Sequence, residues 1–117
     1  MAAVDAATRS GFIIETRESY DNAMRFAMAE HRTPEARLSN YFYAEGIKQA
    51  SEKVIELFAT LPSTADREEY FAPVDVLVET ARHILDSNEE VPESLGGREA
   101  VRSILYGYNA IRNNYMH

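Results

Sequence analysis

The sequence predicts an all-α protein, an antiparallel bundle of four main helices with one extra short helix. Three observations favour this fold class. Apolar residues recur every three or four positions over most of the chain, as in amphipathic helices. The 117 residues include only four prolines, which sit where helices would break, and no long stretch alternates apolar and polar residues as a strand does. The length fits one domain over residues 1–117.

The first two helices are separated by a clear start signal. The first helix is expected from Val4 or Thr8 to Glu30. Thr33 can then cap a second helix that begins at Pro34 and ends near Leu61. The apolar stripe of this second helix consists of Leu38, Tyr41, Phe42, Ile47, Ala50, Val54, Leu57, Phe58 and Leu61.

The second half of the chain contains the extra helix. Pro62 ends the second helix, and residues 65–71 are expected to form the short one. Because a proline inside a helix costs about 3 kcal/mol, we expect a break or kink at Pro73, followed by a helix that ends near Leu85. Residues 86–97 read as a loop, and the last helix is expected from Arg98 to the end of the chain.

The charge of the chain limits its partners. There are 19 acidic and 12 basic residues, so the formal net charge is −7. Three arginines and one glutamate from Arg98 onward make that segment net basic, whereas the first 97 residues carry −9. Such a balance argues against broad, charge-driven binding of nucleic acid but leaves room for a small local site.

Several protein classes are excluded by composition. Cysteine is absent, which rules out disulfides, thiolate catalysis and cysteine-bearing zinc or iron–sulfur sites. No apolar run approaches the roughly 18 residues of a transmembrane helix, so no membrane association is expected. The N-terminus lacks the basic and apolar regions of a signal peptide. These features favour a cytoplasmic location. The sequence also contains no Gly-rich phosphate loop, nucleophile elbow or His-Glu-x-x-His motif.

The end of the last helix carries the groups needed to cleave a phosphodiester without a metal. Arg112, Asn113 and His117 lie within six residues. A histidine can transfer the protons of the ribose 2′-hydroxyl and the leaving 5′-oxygen. An arginine can bind phosphate oxygens and stabilise their growing charge, and an asparagine can orient either group.

This motif resembles a known signature. Arg112-Asn113-x-x-x-His117 in a terminal helix looks like the signature of the HEPN superfamily, small all-α domains that include ribonuclease toxins and effectors of antiviral defence. Residues 41–58, with their Gln, Ala, Glu and Lys run, are similar to the long helix of that family. The resemblance implies a metal-independent endoribonuclease without a cofactor, in which Arg112 and His117 are the catalytic pair and Asn113 supports them.

The resemblance also implies partners. Family members typically dimerise so that two motifs form one cleft, which predicts a homodimer, an RNA substrate and an antitoxin as a protein partner. The spacing agrees with a composite cleft, because five residues separate Arg112 from His117 by about 140° around a helix and about 7.5 Å along it. Both side chains can then face one groove only where another helix packs nearby.

Other interpretations stay open. Arg112 and His117 are also cations of the kind that stabilise a helix C-terminus through the helix dipole. The acidic first 97 residues fit a non-enzymatic helical interaction module, such as a small regulator or phage-encoded inhibitor, that docks on a basic protein surface. Asp75, Glu79 and His83 share one helix face, where a solvated surface is favoured over a metal site.

Overall fold

A computed structural model of the protein describes residues 6–60, 67–88, 90–93 and 96–116. Over these ranges the chain forms four helices and no strand. The helices are α1 (Ala6–Ala27), α2 (Pro34–Thr60), α3 (Arg67–Asp86) and α4 (Gly97–Met116). The all-α fold class and the four main helices are therefore confirmed. Within the same ranges, no helix has both the length and the apolarity needed to cross a bilayer.

Helix α2 begins where the sequence predicts it. The backbone N–H of Ala36 donates to the Thr33 hydroxyl at 3.1 Å, so Thr33 is the N-cap. Helix α1 ends before the predicted Glu30, because the chain turns through residues 28–33 on its way to α2. The predicted boundaries at Val4 and Leu61, together with Pro62, lie outside the described residues.

The extra short helix predicted over residues 65–71 is not seen as a separate element. Instead α3 continues through Pro73, and residues 67–71 form its first turns. Tyr70 and Phe71 are only 0% and 3% exposed. Burial of side chains of this size contributes about 1.5–3 kcal/mol each, which offsets the roughly 3 kcal/mol cost of an internal proline. The expected break was therefore wrong because tertiary packing outweighs local propensity; residues 65–66 are not among those described.

Two glycines turn the chain between α3 and α4. Gly96 and Gly97 have φ angles of 90° and 65°. This left-handed region costs other residues about 1–2 kcal/mol, so glycine suits both positions. The loop predicted over residues 86–97 agrees with the observed connection, since α3 ends at Asp86 and α4 begins at Gly97.

Arg98 closes this connection. Its guanidinium donates to the main-chain carbonyl oxygens of Ile84 at 3.1 Å and Ser87 at 3.2 Å, and also to that of Leu85. Carbonyl groups in the last turn of a helix have no partner within the helix, and a basic side chain satisfies them. The start of α4 is thereby tied to the end of α3.

Helices α2 and α4 run parallel and pack closely. The Ser39 and Ser103 hydroxyls hydrogen-bond at 3.0 Å, and further along both helices Tyr108 donates to Gln49 at 2.7 Å. The paired positions rise together along the two helices, which defines the common direction. Their side-by-side packing places the N-termini of α2 and α4 at the same end of the molecule.

Two glycines bring the backbones of α2 and α4 into close contact. A Cβ atom added to Gly46 would overlap the backbone of Ile104, and one added to Gly107 would lie 2.5 Å from the Tyr43 carbonyl oxygen. The two backbones therefore touch at Gly46 and Gly107, with no room for a side chain at either position.

The core lies around this contact and toward the end where α3 begins. Its buried members come from all four helices: Phe12, Ile47, Ala50, Val54, Tyr70, Phe71, Val74, Val78, Ala81, Leu105, Tyr108 and Ile111. Two residues of the apolar stripe predicted for α2 do not face the core: Leu38 and Tyr41 are 50% and 43% exposed. Helix α2 instead turns small residues inward, including Ala44 and Gly46.

Substitution of either contact glycine tests this packing. We expect Gly46→Ala and Gly107→Ala each to lower the free energy of unfolding by about 1–3 kcal/mol, because the added methyl group forces the two backbones apart. Urea unfolding followed by circular dichroism measures the change.

Gly11→Ala is the matched control. An added Cβ at Gly11 in α1 has nothing within 4 Å, so alanine there should raise the free energy of unfolding by about 0.5–1 kcal/mol through helix propensity alone. Equal effects at all three positions would show that the contact between α2 and α4 does not depend on glycine.

Candidate active site on the last helix

The side chains of the predicted motif are placed by the amphipathic pattern of α4. Ile111 is fully buried in the core. Successive residues in an α-helix are about 100° apart, so the two residues that follow Ile111 turn away from the core. Arg112 and Asn113 are accordingly exposed on the outside of α4.

Arg112 is held by a carboxylate of the neighbouring helix. Its Nε atom lies 3.3 Å from Oδ1 of Asp75 on α3, and the two side chains are 48% and 49% exposed. An ion pair this exposed contributes about 0–1 kcal/mol to stability. Its clearer effect is on orientation, because a long side chain of α4 is joined to a fixed point on α3.

The structure locates two of the three predicted catalytic residues. Arg112 and Asn113 are neighbours but project in different directions around α4, and Asn113 is exposed. His117 lies outside the described residues. The arrangement of Arg112 and His117 about a shared phosphate therefore stays a prediction.

The pairing of Asp75 with Arg112 is not predicted from the sequence. The spacing instead groups Asp75 with Glu79 and His83 along one helix face. In the structure Glu79 pairs with Arg82 at 3.4 Å, while Asp75 pairs with Arg112. Among the described residues, no three histidine, aspartate or glutamate side chains are placed to hold a metal ion.

A partly buried hydrogen bond anchors α4 one turn before Arg112. The Tyr108 hydroxyl donates to Oε1 of Gln49 on α2 at 2.7 Å, and the Tyr108 ring belongs to the core. Burial raises the pKa of the Tyr108 hydroxyl above its ordinary value of 10.0. Burial likewise raises the pKa of Tyr43. Both phenols are therefore neutral at physiological pH: Tyr108 packs in the core and donates a hydrogen bond, and Tyr43 packs against the core.

Comparison with known proteins gives no match: no family model fits the sequence, and no curated protein and no solved structure is significantly similar to the chain. The family indicated by the Arg112-Asn113-x-x-x-His117 motif thus stays a prediction.

The anchor at Tyr108 leads to a pH-dependent prediction. In the unfolded chain the tyrosine ionises near pH 10, whereas in the folded chain its pKa is higher. The stability that the folded protein gains from the protonated Tyr108 hydroxyl is therefore complete below pH 10 and is lost as the pH rises through the folded pKa. Tyr108→Phe should lower the free energy of unfolding by about 1 kcal/mol at pH 7. Between pH 7 and alkaline pH, the variant should then lose less free energy of unfolding than the wild type does.

Urea unfolding at pH 7 and pH 10.5 measures both effects. Tyr106→Phe serves as the control, since the Tyr106 side chain is 57% exposed on the same helix and should leave stability unchanged. An equal alkaline loss for wild type and Tyr108→Phe would contradict the assigned role of Tyr108.

Proposed function

We propose that the protein is a HEPN-like, metal-independent endoribonuclease, acting as a toxin or as an effector of antiviral defence. The observation that supports this proposal is the setting of Arg112. It projects from the terminal helix at the surface, and a carboxylate of another helix holds its guanidinium. Asn113 follows Arg112 in the sequence and is also exposed, on a different side of α4.

The proposed reaction is an internal transesterification of the RNA, in which phosphorus exchanges its bond to the 5′-oxygen for a bond to the 2′-oxygen. His117 takes the proton of the 2′-hydroxyl, and the resulting oxygen attacks the adjacent phosphorus. The bond from phosphorus to the 5′-oxygen breaks, and an imidazolium gives that oxygen a proton. The products are a 2′,3′-cyclic phosphate and a free 5′-hydroxyl. Arg112 stabilises the negative charge on the phosphoryl oxygens, and Asn113 orients the reacting groups.

A homodimer completes this proposal. Arg112 and His117 do not share one stripe of a helix, so a neighbouring copy of α4 is needed to form a groove lined by both. In such a two-fold arrangement, the histidine of one copy acts as the base and that of the other copy as the acid.

An assay with variants tests the activity. Arg112→Ala and His117→Ala should each lower cleavage of a structured RNA by about 100-fold or more, in the presence of EDTA, with 2′,3′-cyclic phosphate ends on the products. Arg102→Ala is the matched control, because Arg102 is 47% exposed on the same helix and pairs with Glu99. Gel analysis and mass spectrometry of the products provide the measurement.

The outcomes are distinct. Loss of cleavage in Arg112→Ala and His117→Ala, with Arg102→Ala unchanged, supports the assignment. Equal cleavage by all four proteins would reveal a contaminating nuclease. The absence of cleavage by pure, folded wild-type protein would exclude the ribonuclease and leave the second candidate function.

The second candidate is an acidic helical module that binds a basic protein surface. A groove of about 470 Å³ lies between the first turns of α2 and α4, which start side by side. Glu35, Glu93 and Glu99 line it together with apolar side chains such as Leu38 and Phe42. The groove suits a lysine or arginine of a partner, whose aliphatic stem packs on the apolar floor while its charge meets the carboxylates.

A peptide-binding measurement tests this candidate. We expect a fluorescent decapeptide of alternating lysine and alanine to bind, with affinity that falls as salt is added. The double substitution Glu35→Gln and Glu93→Gln should weaken binding about fivefold. Glu18→Gln with Glu56→Gln removes the same charge from exposed positions on α1 and α2 and should have little effect. Equal weakening by both pairs would indicate net charge alone and contradict a groove-specific site.

A further inference from the structure

We propose that Asp75 is a positioning residue that orients the Arg112 guanidinium for a phosphate of RNA, an inference that rests on the proposed function of Arg112. The two residues are brought together only by the packing of α3 on α4. Their ion pair differs from two others among the described residues, because Arg82–Glu79 and Arg102–Glu99 each lie within one helix.

The geometry of the pair determines which part of Arg112 faces a ligand. Asp75 meets the guanidinium at Nε, next to the aliphatic stem, at 3.3 Å. The guanidinium is planar and carries its donors in a fixed fork. Because the Asp75 oxygen lies beside Nε, the two Nη groups form the edge that is left for a ligand. That edge matches two oxygens of a phosphate in the bidentate manner that arginine favours.

Orientation before binding is the expected benefit. A free arginine side chain has many rotamers, and the conformational entropy that it loses when a ligand fixes it opposes binding. The ion pair with Asp75 restricts those rotamers in the absence of RNA. Because both side chains are about half exposed, the pair contributes little to folding, so its removal leaves a folded protein.

A competing role for the carboxylate makes a different prediction. If Asp75 mainly occupied Arg112 and repelled phosphate, its removal would tighten RNA binding. If Asp75 positions Arg112, its removal weakens binding, and glutamate restores most of the effect. The sign of the change therefore distinguishes the two roles.

The experiment compares wild type with Asp75→Asn, Asp75→Glu and Glu79→Gln. Glu79→Gln is the matched control, because it breaks an exposed ion pair on the same helix that does not involve Arg112. The probe is a decamer of 2′-O-methyl RNA, which carries phosphates but lacks the attacking hydroxyl. Nitrogen-15 NMR follows the Arg112 Nε–H signal, assigned by its loss in Arg112→Lys. Single-turnover cleavage of the matching unmodified RNA is measured in parallel.

The decamer should shift the Arg112 signal saturably in wild type and in Glu79→Gln. Asp75→Asn should weaken this binding about fivefold, and Asp75→Glu should stay within about twofold of wild type. In the cleavage assay, Asp75→Asn should lower the rate at saturating protein about tenfold or more.

Unchanged or tighter binding by Asp75→Asn would overturn the positioning role, as would the absence of any shift of the Arg112 signal in wild type. A saturable shift that weakens in Asp75→Asn, without cleavage by any of the proteins, would refute the proposed ribonuclease but uphold the positioning of Arg112 by Asp75.

Discussion

The contact between the backbones of Gly46 and Gly107 is the constraint on which the arrangement of helices depends. Two helices approach this closely only when neither carries a side chain at the crossing, as the overlaps of an added Cβ with Ile104 and Tyr43 demonstrate. The parallel alignment of α2 and α4 is built around that point. Hydroxyl and amide groups on either side of the crossing then meet at hydrogen-bonding distance, as between Tyr108 and Gln49. The direction in which α4 presents the exposed Arg112 and Asn113 follows from these contacts.

Much of the helical structure could be predicted from local signals. Thr33 and Pro34 mark the start of α2 because capping and the fixed φ of proline act within one turn. The break predicted at Pro73 was wrong, because the local cost of the proline is offset by the burial of Tyr70 and Phe71, which depends on the whole fold. Leu38 and Tyr41 are exposed for a related reason: the inward face of α2 is defined by the small residues that fit against α4.

The candidate site was predictable only in part. Arg112 and Asn113 stand out because their types and spacing suit phosphate chemistry, and periodicity alone places Ile111 inward beside them. The partnership of Arg112 with Asp75 was not predictable, since it arises from the register of two helices and leaves no spacing signal in the sequence. His117 belongs to the motif by its residue type and spacing, and it lies outside the described residues.

The three main-chain contacts of Arg98 have an effect far from the loop that they close. Helices α3 and α4 run in opposite directions, since Arg98 meets Ile84 and Arg112 meets Asp75. The connection that joins them therefore sets how the two helices are aligned along their length. Arg112 lies fourteen residues beyond Arg98, or about 21 Å along α4, so a slip of one residue at the joint displaces the distant guanidinium by about 1.5 Å relative to α3. The ion pair between Arg112 and Asp75 therefore depends on how Arg98 holds the connection between α3 and α4.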